Sequence, residues 1–294
     1  MCKKTVKKSY VVVASCLIMA FASLQVAFAT EIPGQAQAQK HYENNDLSKS
    51  IASFKTALAK AYPELGGKAK SDEKTLLGQL DDVKKAGLAN YQLGLVYEAK
   101  GNLTDAAAKF SNALMEKSHG GAKYVGAKKC KMCHSKQYKS WAKTKMAKTF
   151  EVLKPGVRAE AKAKLKFDPK KDYTKDTTCL PCHTTGYGMP GGYRIPKAGD
   201  SAAAKVAKIN EGTTCEACHG PGGNFIKEHK KIMKKKSYTF DQLSAVGQIR
   251  ADEASCTVCH NKRNPTVKSD FHFDYKKSKE ADTHDIFHLK YLKK

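Results

Sequence analysis

At 294 residues the chain is long enough for two domains of ordinary size. Its 53 Lys+Arg against 28 Asp+Glu leave a formal charge of +25, a surface suited to acidic redox partners, anionic lipid headgroups, a negatively charged mineral or nucleic acid. The N-terminus argues against nucleic acid, because it reads as an export signal. Lys3, Lys4, Lys7 and Lys8 precede an apolar run from Tyr10 to about Phe28, and Ala27-Phe28-Ala29 supplies the small-x-small pattern before a cleavage point. An uncleaved anchor and lipidation at Cys16 are the competing readings. All three place the remainder in the periplasm or at the cell exterior.

Residues 36–118 contain no cysteine and read as helical. Tyr42, Leu47, Ile51, Phe54 and Leu58 recur at helical spacing, with Asn44-Asn45-Asp46 as a turn. The stretch from Tyr91 to Met115 repeats the pattern, with Leu95, Tyr97, a Gly101-Asn102 turn, Leu103, Ala107, Phe110 and Leu114. The segments from Leu47 to Leu58 and from Leu103 to Leu114 superimpose at a constant offset. The second copy resembles a tetratricopeptide repeat, whose usual period is about 34 residues. Extra residues intervene here, including a charged helix expected from Ser71 to about Lys85. A generic helical bundle is the alternative. Either arrangement supplies shape and a docking surface for a partner protein.

From Gly121 onward apolar periodicity weakens, lysines crowd the chain and Gly and Pro become frequent, as in Gly186-Tyr187-Gly188-Met189-Pro190-Gly191-Gly192. So little apolar patterning predicts a marginal core unless something large and apolar is buried within it. The cysteines suggest what that is. Apart from Cys2 and Cys16, the remaining eight fall into four identical units: Cys130-Lys-Met-Cys133-His134, Cys179-Leu-Pro-Cys182-His183, Cys215-Glu-Ala-Cys218-His219 and Cys256-Thr-Val-Cys259-His260. Two thiols at this spacing can each add to a vinyl group of one porphyrin, and the adjacent histidine then lies beneath the iron. Zinc would leave four adjacent histidines without a purpose. The expectation is four covalently bound haem c groups, held by Cys130, Cys133, Cys179, Cys182, Cys215, Cys218, Cys256 and Cys259. His134, His183, His219 and His260 are the proximal ligands, in a mostly α-helical, haem-packed region with little strand, spanning residues 122–294.

Several stretches carry a resemblance. Gly126 to Trp141, Leu153-Lys-Pro, Phe167-Asp-Pro-Lys-Lys-Asp-Tyr173, Gly191-Gly-Tyr-Arg-Ile195 and Cys215 to Phe225 are similar to the tetrahaem cytochrome c-554 family. The resemblance runs from about Tyr124 to the C-terminus and leaves the repeat-like region uncovered. It implies a mostly helical electron carrier with closely packed haems, in a family known for accepting electrons from hydroxylamine oxidation. It further implies His229 as distal ligand opposite His134, and it leaves the second iron, on His183, without a distal protein ligand. Phe271-His-Phe-Asp274 aligns with the family's Phe-x-Phe-Asp, which puts the fourth haem's ligand at His284, with His288 as runner-up. Where the family has a histidine serving the third haem opposite His219, this chain has Met146. A thioether there would raise the potential relative to bis-His; the alternative is that Met146 only packs beside the porphyrin. The loop between the fourth motif and Phe271 is much shorter than the family's.

His41, His119 and His272 read as packing or surface residues. The run from Lys230 to Lys236 reads as a solvated face that helps dock an acidic partner. Electron transfer between redox proteins, acidic ones in view of the basic surface, is the leading expectation, with association to a membrane surface compatible with the charge. The competing classes are a small-molecule oxidoreductase acting on nitrogen oxides, hydroxylamine or peroxide at an open haem, and a subunit of a larger multihaem assembly. The absence of a Cys-x-x-Cys-Lys motif speaks against the usual multihaem nitrite reductase.

Overall fold

A computed structural model describes residues 32–63, 67–267, 272–289 and 291–293. The export signal, Cys2, Cys16 and Phe271 lie outside the described residues. The fold is mostly helical: among the described residues there are only two isolated β-bridges, Thr184–Glu211 and Tyr238–Leu292.

The first half is built from two helical hairpins. Helices α1 (Gln35–Glu43) and α2 (Leu47–Ala59) are joined at Asn45, which takes a positive φ of 60°. Asp46 then caps α2 by accepting from the Lys49 N–H at 3.2 Å. Helix α3 (Glu73–Gln79) leads into α4 (Ala86–Ala99) and α5 (Leu103–Ser118), with Asn102 capping α5 through the Asp105 N–H. The expected helix from Ser71 to Lys85 is thus shorter. It stops where Asp81 and Asp82 would face the negative end of the helix, and the Asp82 carboxylate instead accepts from the Lys84 N–H in a turn.

Both repeat-like segments feed one core. Tyr42, Ile51, Phe54 and Leu58 pack with Tyr91, Leu95, Ala107, Phe110 and Leu114. Aromatic rings lie at its centre, Tyr42 edge-on to Phe54 with centroids 5.8 Å apart and Tyr91 tilted against Phe110 at 5.5 Å. Gly94 makes the crossing of α4 and α5 close, because a Cβ there would sit 2.7 Å from the Phe110 ring.

The second half is made of short helices strung on irregular chain: α6 (Ala127–Lys131), α7 (Ser135–Trp141), α8 (Ala159–Lys164), α9 (Leu180–His183), α10 (Ser201–Ile209), α11 (Cys215–His219), α12 (Gly222–Lys234), α13 (Phe240–Ser244), α14 (Glu253–Thr257) and α15 (Tyr275–Asp282). Phe150, Leu153, Tyr173, Leu180, Tyr193 and Ala207 form its main apolar cluster. Helices this short are not stable on propensity alone and depend on what they pack against.

The halves meet through polar contacts. The Asn112 amide donates to the Tyr187 carbonyl at 3.1 Å, and Arg194 pairs with Asp81 at 2.5 Å. At the other end of the contact, the Lys262 N–H donates to the Glu43 carbonyl at 3.1 Å, and the Arg263 guanidinium lies 3.5 Å from the centre of the Tyr42 ring. The end of α1 is thereby seated beside the fourth motif.

Candidate functional site

Each Cys-x-x-Cys-His unit folds as a single tight turn. In the first, second and fourth, the histidine N–H donates to the carbonyl of the first cysteine, at 2.9, 3.2 and 2.9 Å, and the third lies wholly within the helix Cys215–His219. That turn brings both thiols and the imidazole to one end of a short helix. Helix α11 stops directly after His219 because Gly220 takes φ 78° and a Cβ there would lie 2.7 Å from the Gly247 carbonyl oxygen.

The motifs are grouped out of chain order. The Cys130 thiol lies within hydrogen-bonding reach of Cys215, so the first motif abuts the third. Cys182 is likewise in reach of Cys259, which places the second against the fourth. Helix α11 also touches α14, and the Cys218 and Cys256 thiols lie in each other's field, joining the two pairs.

Histidine rings meet across the motifs. His134 and His229 have ring centres 5.9 Å apart with planes at 90°, and His219 and His284 have centres 6.4 Å apart with planes at 37°. An iron held between two imidazoles separates their centres by about 6 Å, from two metal–nitrogen bonds of about 2 Å and two ring radii of about 1.2 Å. Both spacings fit a hexacoordinate haem iron. The ring contact of His260 is instead with Phe273, stacked at 4.6 Å, and His288 is exposed.

Hydrogen bonds set the tautomers. His183 Nδ1 donates to the Thr149 carbonyl at 2.6 Å, and His284 Nδ1 donates to the Asp285 carbonyl at 2.8 Å. In the neutral ring each bond fixes the proton on Nδ1 and turns the lone pair of Nε2 outward, the form a metal requires. The His219 ring is hydrogen-bonded to the Ile249 backbone. Burial holds the basicity of His134, His183, His219, His229 and His260 below the ordinary histidine range. For His134 and His219 the neighbouring His284 ring adds to that effect, and for His260 Asp282 opposes it.

Met146 opens a 3-10 turn (Met146–Lys148), and its carbonyl accepts from the Thr213 N–H at 3.1 Å and the Thr149 N–H at 3.3 Å. The Thr149 and Thr213 hydroxyls lie 3.2 Å apart, and Thr213 leads into α11. This turn therefore braces the carbonyl that orients His183 and anchors the approach to the third motif.

Two elements of the site were not singled out by the sequence reading. Glu216, inside the third motif, is buried and accepts from the N–H groups of Val125 (3.0 Å), Gly126 (2.6 Å) and Gly222 (2.6 Å). Burial raises its pKa and the three N–H donors pull it back. Its signal was an acid set among Gly126, Gly220, Gly222 and Gly223, where backbone N–H groups lie open. The second element is a cavity of about 340 Å³ beside the second motif, lined by Cys179, Cys182, His183, Leu153, Phe167 and Tyr173, with Lys145, Arg158 and Lys162 also on its wall.

The family model described as "Cytochrome c554 and c-prime" matches residues 129–220, a span that holds the first three motifs. Cytochrome c-554 of Nitrosomonas europaea is 41% identical over 163 residues, covering 53% of this chain. The solved reduced state of cytochrome c554 from Nitrosomonas europaea is 33% identical with a TM-score of 0.52, covering 59% of this chain and 90% of that one. The chain belongs to the cytochrome c554 family. It spans 65% of the length of the curated cytochrome c-554 it matches. Shared cytochrome c554 ancestry accounts for the motifs, while the aligned share leaves much of this chain outside the likeness.

Proposed function

We propose that this protein is an extracytoplasmic tetrahaem c-type cytochrome that passes electrons between protein partners. The observation that carries the reading is the convergence of four Cys-x-x-Cys-His turns into touching pairs, with imidazoles at iron-ligand spacing. Cys130 with Cys133, Cys179 with Cys182, Cys215 with Cys218 and Cys256 with Cys259 hold the macrocycles by thioether bonds, and His134, His183, His219 and His260 are the proximal ligands. His229 is the distal ligand opposite His134. Bound haem supplies one-electron Fe(III)/Fe(II) chemistry. The chain's part is to fix ligand tautomers through Thr149, Ile249 and Asp285, to exclude water, and to set the spatial order first, third, fourth, second.

The basic surface supports acidic redox proteins as donor and acceptor, with an anionic membrane surface as a further docking partner. The α1–α5 helices are a candidate surface for a docked protein. Export through the N-terminal signal would deliver the chain to the periplasm or cell exterior, where c-type attachment takes place.

The test is haem stoichiometry by alkaline pyridine spectra with a reductive titration. Four haems per chain taking up four electrons reversibly is the expected result, and fewer than four would refute it. The resemblance leaves the iron on His183 without a distal protein ligand, which keeps a second reading: that iron takes a small anion such as nitrite, drawn by Lys145, Arg158 and Lys162 on the wall of the slot that would hold the haem. Binding of CO or NO by the reduced protein, with turnover of nitrite or hydroxylamine, would support that reading.

A further inference from the structure

We propose that the first motif is the electron port of the cluster, and that the face made by α6 and α7 around exposed Met132 docks an acidic one-electron carrier protein. The proposal rests on the tetrahaem reading above and names the place where its partner binds.

This face is set apart by charge. No Asp or Glu occurs between Glu116 and Glu151, so the lysines of that stretch have no local counter-charge. Lys128, Lys129 and Lys131 lie on α6 and Lys136 and Lys139 on α7, and all five are exposed. Among the described residues none of the five is in an ion pair. The two helices pack on each other, with Lys131 Nζ 5.1 Å from the centre of the Tyr138 ring, so their charges are held close together. Met132, between the two cysteines, is 64% exposed, and Cys133 is the exposed one among the eight motif cysteines. An apolar centre among unpaired cations complements an apolar redox edge rimmed by carboxylates. The charges steer the encounter and the apolar contact closes it.

The other motifs do not offer such a face. Leu180 and Glu216, which stand in the second and third motifs where Lys131 stands in the first, are buried. Val258 of the fourth motif is 40% exposed, but it follows Asp252 and Glu253, and the Thr257 hydroxyl beside it donates to the Glu43 carboxylate at 3.4 Å. An acidic protein is repelled there. The same side is covered by the end of α1, where Arg263 lies over Tyr42 and the Lys262 N–H holds the Glu43 carbonyl. In the spatial order first, third, fourth, second, the open and basic end is the first. Transfer at this end forms and breaks no bond: the carrier loses one electron and a haem iron goes from Fe(III) to Fe(II).

The experiment is stopped-flow reduction of the oxidised, fully haem-loaded protein by a reduced plant-type [2Fe–2S] ferredoxin, an acidic one-electron donor, at low ionic strength. Lys129→Glu/Lys136→Glu is expected to lower the second-order rate constant by about tenfold. Lys74→Glu/Lys84→Glu makes the same change of net charge at exposed positions of the helical half and is expected to lower it by less than about twofold. A small neutral flavin reductant should reduce all three proteins at one rate. Carbodiimide coupling of ferredoxin carboxylates to wild-type lysines, mapped by mass spectrometry, decides the matter if the first variant does not accumulate. Links at Lys128, Lys129, Lys131, Lys136 or Lys139 are the expected result. Equal slowing by both variants, no slowing by the first, or links confined to other lysines would overturn the proposal. So would phosphatidylglycerol vesicles that retain the wild type but not Lys129→Glu/Lys136→Glu while the ferredoxin rate stays unchanged, because the face would then belong to a membrane. A haem count below four would refute the tetrahaem reading separately, whereas four haems with an unchanged ferredoxin rate would refute the docking face alone.

Discussion

Glu216 shows how one buried charge organises a site that has little apolar mass. Its carboxylate collects three backbone N–H groups from two segments, so removing it leaves them buried without acceptors. Each such group costs about 1–3 kcal/mol. Glu216→Ala is therefore expected to lower stability by about 3 kcal/mol in guanidinium denaturation, with Glu216→Gln intermediate. Glu116 makes a contrasting case, because it is buried and its Oε1 has no partner. Burial pushes its pKa up to about 7. Between the unfolded value and 7 the unfolded chain has released this proton and the folded chain still holds it, so stability falls as pH rises through that window. The loss is on the order of 3 kcal/mol, and Glu116→Gln should remove it from a plot of denaturation midpoint against pH. On the haem reading, proximal histidines can be named from the sequence because covalent attachment demands them beside their cysteines. Distal ligands can come from anywhere in the chain, so no local pattern marks them. The His284 ring lies 6.4 Å from that of His219, a proximity between the C-terminal segment and the third motif that no local pattern announces.

At the level of helices, the first half was readable and the second was not, and the reason is periodicity. Leu47, Ile51, Phe54 and Leu58 mark α2 by spacing, and Leu103, Ala107, Phe110 and Leu114 mark α5 in the same way. Asp46 and Asn102 mark where those helices begin. Gly94 carried no such signal, although the close crossing of α4 and α5 depends on it. Gly94→Ala is expected to drive a methyl into Phe110 and cost about 2 kcal/mol, measured as a lowered thermal midpoint of the helical circular dichroism signal. Beyond residue 121, helices such as α6, α9, α11 and α14 have four or five residues each, too few to show an apolar stripe. Their positions could be guessed only from the cysteines they carry. Glu216, which ties α6 to α11 and α12, went unnoticed because its function is set by distant backbone.

Over the whole molecule, charge and contact pattern matter more than any single residue. A formal charge of +25 on 294 residues favours encounter with acidic partners, and that attraction is screened by salt. On the proposed reading, reduction by an acidic donor protein should slow by about tenfold between low and high ionic strength, seen by stopped-flow absorbance. Reduction by a small neutral reductant should change little. The attachment of α1 beside the fourth motif, through Glu43, Tyr42, Lys262 and Arg263, makes the helical first half a cover for one end of the cluster.

The interleaved grouping of the motifs also bears on how the molecule is made. The first unit meets the third, and the second meets the fourth, so each closes a loop that straddles a member of the other pair. Neither the leading nor the trailing portion of the cytochrome region can finish on its own as the chain is made. On the haem reading, every prosthetic group must be ligated before the cluster can close. Loss of any one attachment site should then expose the entire region to proteolysis during maturation. Cells would accumulate complete protein or almost none, with few partially loaded forms.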